Sequence, residues 1–363
     1  MIRVLHLSHN NLPDVRVEKE AITLARNGVE CFFAGGKALS FSYKINPFKR
    51  NYELFFDKMA ILGINPWWDK LKLRLKQIIS ICKPDIIHAH NIIAARLALE
   101  LGFPFIYDDH EYWSENAKAK IFHKYKVNFK YIYYWRLWKR WEKKIIPNAI
   151  AIITICNEIA NEHKKMNKNV IVLPNFPTYS EVKELRKNHV IKGKLHSVYI
   201  GSLTKSQTPV RDMSGFIEIF IKNDIGNLIV IGDNKLKTKP PIYSIGFLKH
   251  EEMMRELTKY HIGIVPWKRN PYHKYCNPNK PYEYAHGGLI PIVTNDLTPV
   301  IRSLKQYCIT FKDYSELTEY LKYYCQSIDE VVKMGRELMI YARQELIWDR
   351  FEHKLIELYN KLL

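Results

Sequence analysis

Residues 2–34, IRVLHLSHNNLPDVRVEKEAITLARNGVECFFA, decide the fold. Ile2–Ser8 is a short apolar run of strand length. Val15–Asn27 reads as a helix closed by Gly28, the residue that most easily takes the left-handed turn after a helix. Val29–Ala34 is a second apolar run. A strand, a helix and another strand form a βαβ unit, whose strands lie parallel. The alternation continues with runs at Asp85–His90, Pro104–Tyr107, Ala149–Ile155 and Val170–Leu173. These predict strands buried on both faces. Asn175-Phe176-Pro177 is then a turn signal, and Tyr179–Lys194 is polar and charged. The pattern restarts at Ser197–Gly201 and passes through Asn227–Gly232, Tyr243–Gly246, Ile262–Pro266, Leu289–Thr294 and Cys308–Phe311. The expectation is an α/β chain of two doubly wound, Rossmann-like domains, 1–176 and 195–345, facing across a cleft. Phe351, Leu355, Leu358 and Leu362 share one helical face. The segment 346–363 is therefore expected as a helix crossing back to the first domain.

Composition narrows the class. The chain has 363 residues, 47% hydrophobic and 26% charged, which excludes a disordered or fibrous protein. Lys and Arg number 56 against 37 acids, a formal charge of +19 that calls for an anionic partner. The six cysteines are scattered without a CxxC, so neither a zinc site nor a disulfide framework is read. No signal segment and no apolar run of membrane-spanning length is read; His88, His90, Asn91, Arg96 and Glu100 interrupt the closest one.

In doubly wound sheets ligands sit at the carboxyl ends of strands, so the residues after each strand come first. Ser8–Arg16 holds neither a dinucleotide fingerprint nor a P-loop. It offers Asn10, Asn11 and Arg16, the last opening a helix whose amides suit an anion. Asp108-Asp109-His110-Glu111 follows the strand at 104–107. His110 exchanges protons near neutral pH, and a neighbouring carboxylate such as Asp109 can fix its tautomer. A metal remains a weak alternative there, and none is assigned. After Gly201 come Ser202, Lys205 and Arg211, a polar loop with cations near the next helix, suited to phosphate. Pro278-Asn279-Lys280-Pro281-Tyr282-Glu283 is the strongest local signal. A lysine in a helix's first turn opposes the macrodipole unless an anion lies between them. Glu283 falls one turn on, on the same face, where it can accept hydrogen bonds from ribose hydroxyls.

Lys118–Lys144 carries ten Lys/Arg, one acid (Glu142) and nine aromatics. As a helix it aligns Tyr131, Tyr134, Trp135, Trp138 and Trp141 opposite Arg136, Lys139 and Arg140. That is the composition of a helix lying on anionic lipid. A core stripe with a wet basic face, or stacking on single-stranded nucleic acid, are the competing readings.

Taken together these motifs resemble the retaining GT-B glycosyltransferases, in particular family 4. The resemblance rests on Pro13–Glu20, Lys83–His90, Tyr107–Glu111, Ala151–Asn157, Val172–Asn175, Tyr199–Ser202 and Pro278–Glu283, in that order. It implies retaining hexosyl transfer from a UDP- or GDP-sugar without a required cofactor. Together with the basic-aromatic segment, it leads to the expectation of a lipid-linked or polysaccharide acceptor at the cytoplasmic face of the membrane. It places His110 against the donor sugar, Glu283 on the ribose, Asn279 and Lys280 on the diphosphate, and Arg211 with Lys205 as the basic pair. The chain departs from the family at Asn10-Asn11, which replace a glycine-rich loop. It also has Tyr275 at the first position of a Glu-x7-Glu pair, and a longer loop before Arg211-Asp212. A nucleotide-sugar epimerase of the same architecture and a basic nucleic-acid-binding protein are the alternatives; the latter leaves Asn279, Lys280 and Glu283 unexplained.

Overall fold

The computed structural model describes residues 1–43, 45–123, 126–187, 190–203, 210–234 and 239–362. The chain divides into two compact units. The first comprises Met1–Lys118, Lys130–Pro174 and Phe351–Leu363; the second comprises Ala119–Phe129 and Asn175–Arg350.

The first unit is built on a parallel sheet of β1 (Arg3–Ser8), β2 (Glu30–Gly35), β3 (Phe48–Glu53), β4 (Ile86–His90), β5 (Phe105–Asp109), β6 (Ala151–Thr154) and β7 (Val170–Val172). The strand order is β3-β2-β1-β4-β5-β6-β7. The chain winds outward from β1 and then returns to β4 on its other side. The switch point therefore lies between the carboxyl ends of β1 and β4, where Ser8 pairs with His90. Edge strand β3, FKRNYE, buries only Phe48 and Tyr52 and has no apolar run. That is why the apolar-run reading passed over it.

The second unit repeats the plan with β8 (His196–Ile200), β9 (Asn227–Ile231), β10 (Ile242–Gly246), β11 (Ile262–Val265), β12 (Ile290–Thr294) and β13 (Ile309–Phe311). Their order is β10-β9-β8-β11-β12-β13, all parallel. The switch point here lies between β8 and β11. All six strands stand within a residue or so of the runs read from sequence.

Helix α1 (Val15–Arg26) follows β1. Asp14 caps it by accepting from the amides of Arg16 and Val17, so those amides are occupied by the chain itself and not by a ligand. Helix α2 (Phe129–Asn148) carries the basic-aromatic segment and corrects part of its reading. Trp138 and Trp141 are buried in the core of the first unit. Trp138 packs edge-on against Trp113 and Trp141, at 5.2 and 4.9 Å between ring centroids. Its indole therefore cannot enter a membrane. Tyr131 and Trp135 are half-buried, whereas Arg136, Lys139 and Arg140 are exposed. Glu142, the one acid of the segment, is buried and accepts from the Ser114 amide at 2.8 Å. Helix α3 (Lys280–Gly287) stands between β11 and β12 in sequence.

The last helix, α4 (Glu352–Leu362), belongs to the first unit and packs on α1. Its Leu355, Leu358 and Tyr359 are buried. Glu352 accepts from the Thr23 hydroxyl at 2.9 Å, and the Tyr359 hydroxyl is hydrogen-bonded to His88 Nδ1 at 2.9 Å.

Candidate active site

At the switch point of the first unit the strand ends carry a buried ionic network. Successive residues of β5 point to opposite faces of the sheet. Asp109 turns one way, accepting from Tyr107 Oη and His163 Nε2, each at 2.7 Å. It is fully buried and engaged there, so the tautomer-fixing carboxylate beside His110 is Asp108 and not the expected Asp109. Asp108 turns the other way. Arg16 clasps it with Nη2 on Oδ1 at 2.8 Å and Nε on Oδ2 at 3.0 Å. Arg16 also reaches Glu20 at 3.1 Å and the Leu173 carbonyl at 2.9 Å. The anion role expected of Arg16 is thus taken by carboxylates of its own fold, and only 7% of its side chain is exposed.

His110 Nε2 donates to Asp108 Oδ2 at 2.7 Å, and its side chain is 16% exposed. His90 Nδ1 donates to the same oxygen at 3.1 Å, which leaves His90 Nε2 to accept from His6 Nδ1 at 3.0 Å. His88 Nε2 stands 3.2 Å from Glu20 Oε2. The donors of Glu20, His88, His90 and Asp108 lie within 4.8 Å of one another, a grouping of metal-binding residue types. The Arg16 guanidinium, however, already stands among them, 2.8 Å from Asp108 and 3.1 Å from Glu20. The cluster is therefore read as an internal charge network.

Burial alone would lift Asp108, but Arg16 and then His110 hold it well below the usual carboxylate range. Burial also opposes charge on His110, yet the Asp108 carboxylate outweighs it and holds the imidazole above its ordinary value. Glu20 is pushed up to about 7 by burial and by Asp108. Asn10 and Asn11 are exposed, but their loop is pinned: Asn11 Oδ1 accepts from the Lys37 amide at 2.9 Å, and the Asn10 carbonyl accepts from the Gly36 amide at 2.9 Å.

In the second unit β8 ends at Gly201, with φ +119°, where a side chain would be strained. A methyl group there would stand 3.5 Å from Lys280 Cε, so the first turn of α3 lies over the strand end. Asn279 precedes α3 and is exposed, and its side chain does not cap the helix. Lys280 is held below its ordinary value by burial and by the neighbouring Arg211. Arg211 is exposed and sits 4.5 Å from the centroid of Trp267. Arg211 thus opposes the charge on Lys280 while Glu283 favours it, so the start of α3 beside the glycine turn carries positive charge that suits an anion. Ser202 donates to Asp233 Oδ2 at 3.1 Å. Glu283 is largely enclosed, with 11% of its side chain exposed, and its Oε1 stands 3.8 Å from His250 Nδ1. Lys205 lies outside the described residues. The structure thus brings Lys280 to Gly201 and close to Arg211, and adds Trp267, Asp233 and His250, which sequence reasoning had missed.

Residues 15–176 match Glycosyltransferase Family 4. This segment runs from α1 to just past β7, so the family 4 resemblance is borne out for the motifs of that stretch, through Val172–Asn175. The chain as a whole has the GT-B fold. It is similar to sucrose-phosphate synthase from Thermosynechococcus elongatus, with a TM-score of 0.76, 12% identity, and 100% and 99% of the two chains covered. It is similar to α,α-trehalose 6-phosphate synthase from Burkholderia multivorans, with a TM-score of 0.68 at 9% identity, covering 100% and 99%. It is also similar to HepE from Anabaena, solved in complex with UDP, with a TM-score of 0.62 at 11% identity, covering 99% and 100%. No curated protein matches the chain. Family and fold together support a glycosyltransferase.

Proposed function

We propose that the protein is a retaining glycosyltransferase that moves a hexose from a UDP- or GDP-sugar to a lipid-linked or polysaccharide acceptor at the cytoplasmic membrane face. The observation that carries this reading is Lys280 at the start of α3, brought against the Gly201 turn with Arg211 near enough to act on its charge. A diphosphate leaving group gains negative charge as the glycosidic bond breaks. Fixed cations and helix amides stabilise that charge more in the transition state than in the ground state. In this reading Glu283 binds the ribose and Asn279 flanks the diphosphate. The bond from the anomeric carbon to the departing phosphate oxygen breaks, and the acceptor oxygen bonds to that carbon on the same face. The departing phosphate takes the acceptor proton. No other cofactor enters the step. HepE has also been solved with UDP-glucose, which makes uridine donors the first to try.

The membrane part of the proposal rests on α2. Trp135, Arg136, Lys139, Arg140, Lys143 and Lys144 line a surface recess of about 500 Å³. Lys139 Nζ lies 5.6 Å from the Trp135 ring centroid. Cations around a half-buried indole suit a phosphate-bearing lipid surface. No helix among the described residues is long and apolar enough to cross a membrane.

The experiment is a thermal-shift panel of UDP, GDP and their sugars, followed by product analysis. The protein is expected to be stabilised by a nucleoside diphosphate, and Glu283→Ala to lose that gain. No stabilisation by any of them, or Glu283→Ala matching wild type, rules the reading out. Conversion of the sugar with no acceptor present would instead identify an epimerase, and inversion at the anomeric carbon would exclude the retaining assignment.

A further inference from the structure

His110 is the one member of the first unit's ionic network that is both hydrogen-bonded to Asp108 and partly exposed: Arg16, Glu20, His88, His90 and Asp108 have side chains at 7%, 0%, 0%, 0% and 0%. Its Nε2 is committed inward, 2.7 Å from Asp108 Oδ2. Among the described residues its Nδ1 has no hydrogen-bond partner. A histidine in this position has two chemically opposite options. As a neutral ring it offers the Nδ1 lone pair, and acts as a base. As an imidazolium it offers a second N–H, and acts as a cationic donor.

The surroundings decide between them. The groups around the ring are Asp108 on β5, His90 and His88 on β4, Arg16 and Glu20 on α1, Asp14 at the α1 cap and His9 just beyond β1, while His6 on β1 reaches it only through His90. Asp108 is the ionised carboxylate in contact with the ring, and Arg16 clasps both of its oxygens. That bidentate grip fixes the carboxylate plane, and it leaves Oδ2 aimed at His110 as an acceptor-only group. His90 completes the set of donors on the same oxygen. An acceptor-only oxygen at 2.7 Å fixes Nε2 as the protonated nitrogen, and its charge favours a second proton on the ring.

We propose that Asp108, clamped by Arg16, is a positioning residue that fixes His110 as an imidazolium, with Nε2–H turned inward and Nδ1–H left for the substrate. His110 is then a cationic hydrogen-bond donor to an oxygen of the donor sugar or its phosphate, and not a general base. The assignment of substrate rests on the glycosyl-transfer reading above; the protonation state does not.

The two parts are tested separately. The first measurement is the NMR titration of the His110 Cε1–H in the full-length protein, assigned with His110→Gln. The signal is expected to titrate above the ordinary histidine range, and in Asp108→Asn to move to lower pH. A wild-type His110 that is already neutral at pH 7 overturns the proposal, and so does an unchanged titration in Asp108→Asn. If Asp108→Asn does not fold, the wild-type titration alone decides. The second measurement is the pH profile of kcat/KM with the nucleotide sugar that gives the largest thermal shift. Activity is expected to fall as pH rises through the His110 titration. Asp108→Asn should move that limb to lower pH and lower kcat about 10²-fold with the donor KM little changed. Asp108→Glu should recover part of the loss. Activity that rises through the titration makes His110 a base and overturns the proposal. A normal titration shift with no turnover of any nucleotide sugar sinks the glycosyl-transfer reading and leaves the protonation state standing.

Discussion

Replacing Trp138 and Trp135 one at a time separates what α2 does for the fold from what it does at a surface. Trp138 is 5% exposed and wedged between Trp113 and Trp141. Truncation to alanine removes the indole and leaves a cavity that the neighbouring rings can fill only in part. The cost of such a change is ~3–5 kcal/mol. For a unit of this size each kcal/mol lowers the melting temperature by roughly 2–4 °C, so Trp138→Ala should lose about 6–20 °C. Trp135 lies at the margin of that core, half-buried beside Lys139, and Trp135→Ala should cost only about 1 kcal/mol. The vesicle experiment runs the other way. Each basic residue near an anionic surface contributes ~1 kcal/mol, so replacing Arg136, Lys139 and Arg140 together by alanine should weaken binding to phosphatidylglycerol vesicles roughly 10²-fold. Calorimetry and vesicle co-sedimentation give the two readouts. A Trp138→Ala protein that melts like wild type refutes the core assignment. A triple variant that binds vesicles as before refutes the membrane proposal.

Two further outcomes are expected. Glu142 is pushed up to about 8 by burial, against an ordinary value of 4.5. The folded chain thus keeps a proton that the unfolded chain releases, and stability should drain away as pH rises from about 4.5 to about 8. Glu142→Gln keeps the acceptor for the Ser114 amide; it should match wild type near pH 5 and be more stable at pH 8, by up to ~3 kcal/mol already at pH 7. Equal stability of the two at both pH values would show that Glu142 is ionised in the fold. Lys280→Ala should weaken UDP binding by ~1.5–3 kcal/mol, roughly 10- to 150-fold, while uridine binding measured by titration calorimetry stays unchanged. An equal loss for uridine would place Lys280 away from the phosphates.

Both sheets were legible in the sequence because parallel strands are buried on both faces and so read as unbroken apolar runs, as in Ile152-Ile153 and Ile290–Val293. Edge strand β3 was not, because one of its faces meets water. The α3 site was legible because Lys280 in a first turn is locally unfavourable and needs a reason. The ionic network was only half legible. His88 and His90 lie two residues apart on one strand and so share a face, a period-two signal that marks a common side but names no partner for either ring. Glu20 and Arg16 meet them from another element, and no local pattern announces a contact with Asp108 across 92 positions of chain. Trp138 went astray because a Trp-rich stripe has the same spacing whether it faces lipid or a core; only the rings it meets tell the two apart.

The return of α4 to the first unit has a consequence for how the chain is made. Leu355, Leu358 and Tyr359 are made only after the whole second unit, yet they complete the unit that contains β1 and α1. Until they emerge, α1 lacks its covering helix and His88 its phenol. The N-terminal half must wait, unfinished, through the synthesis of the entire second unit, and no single cut of the polypeptide yields two whole halves.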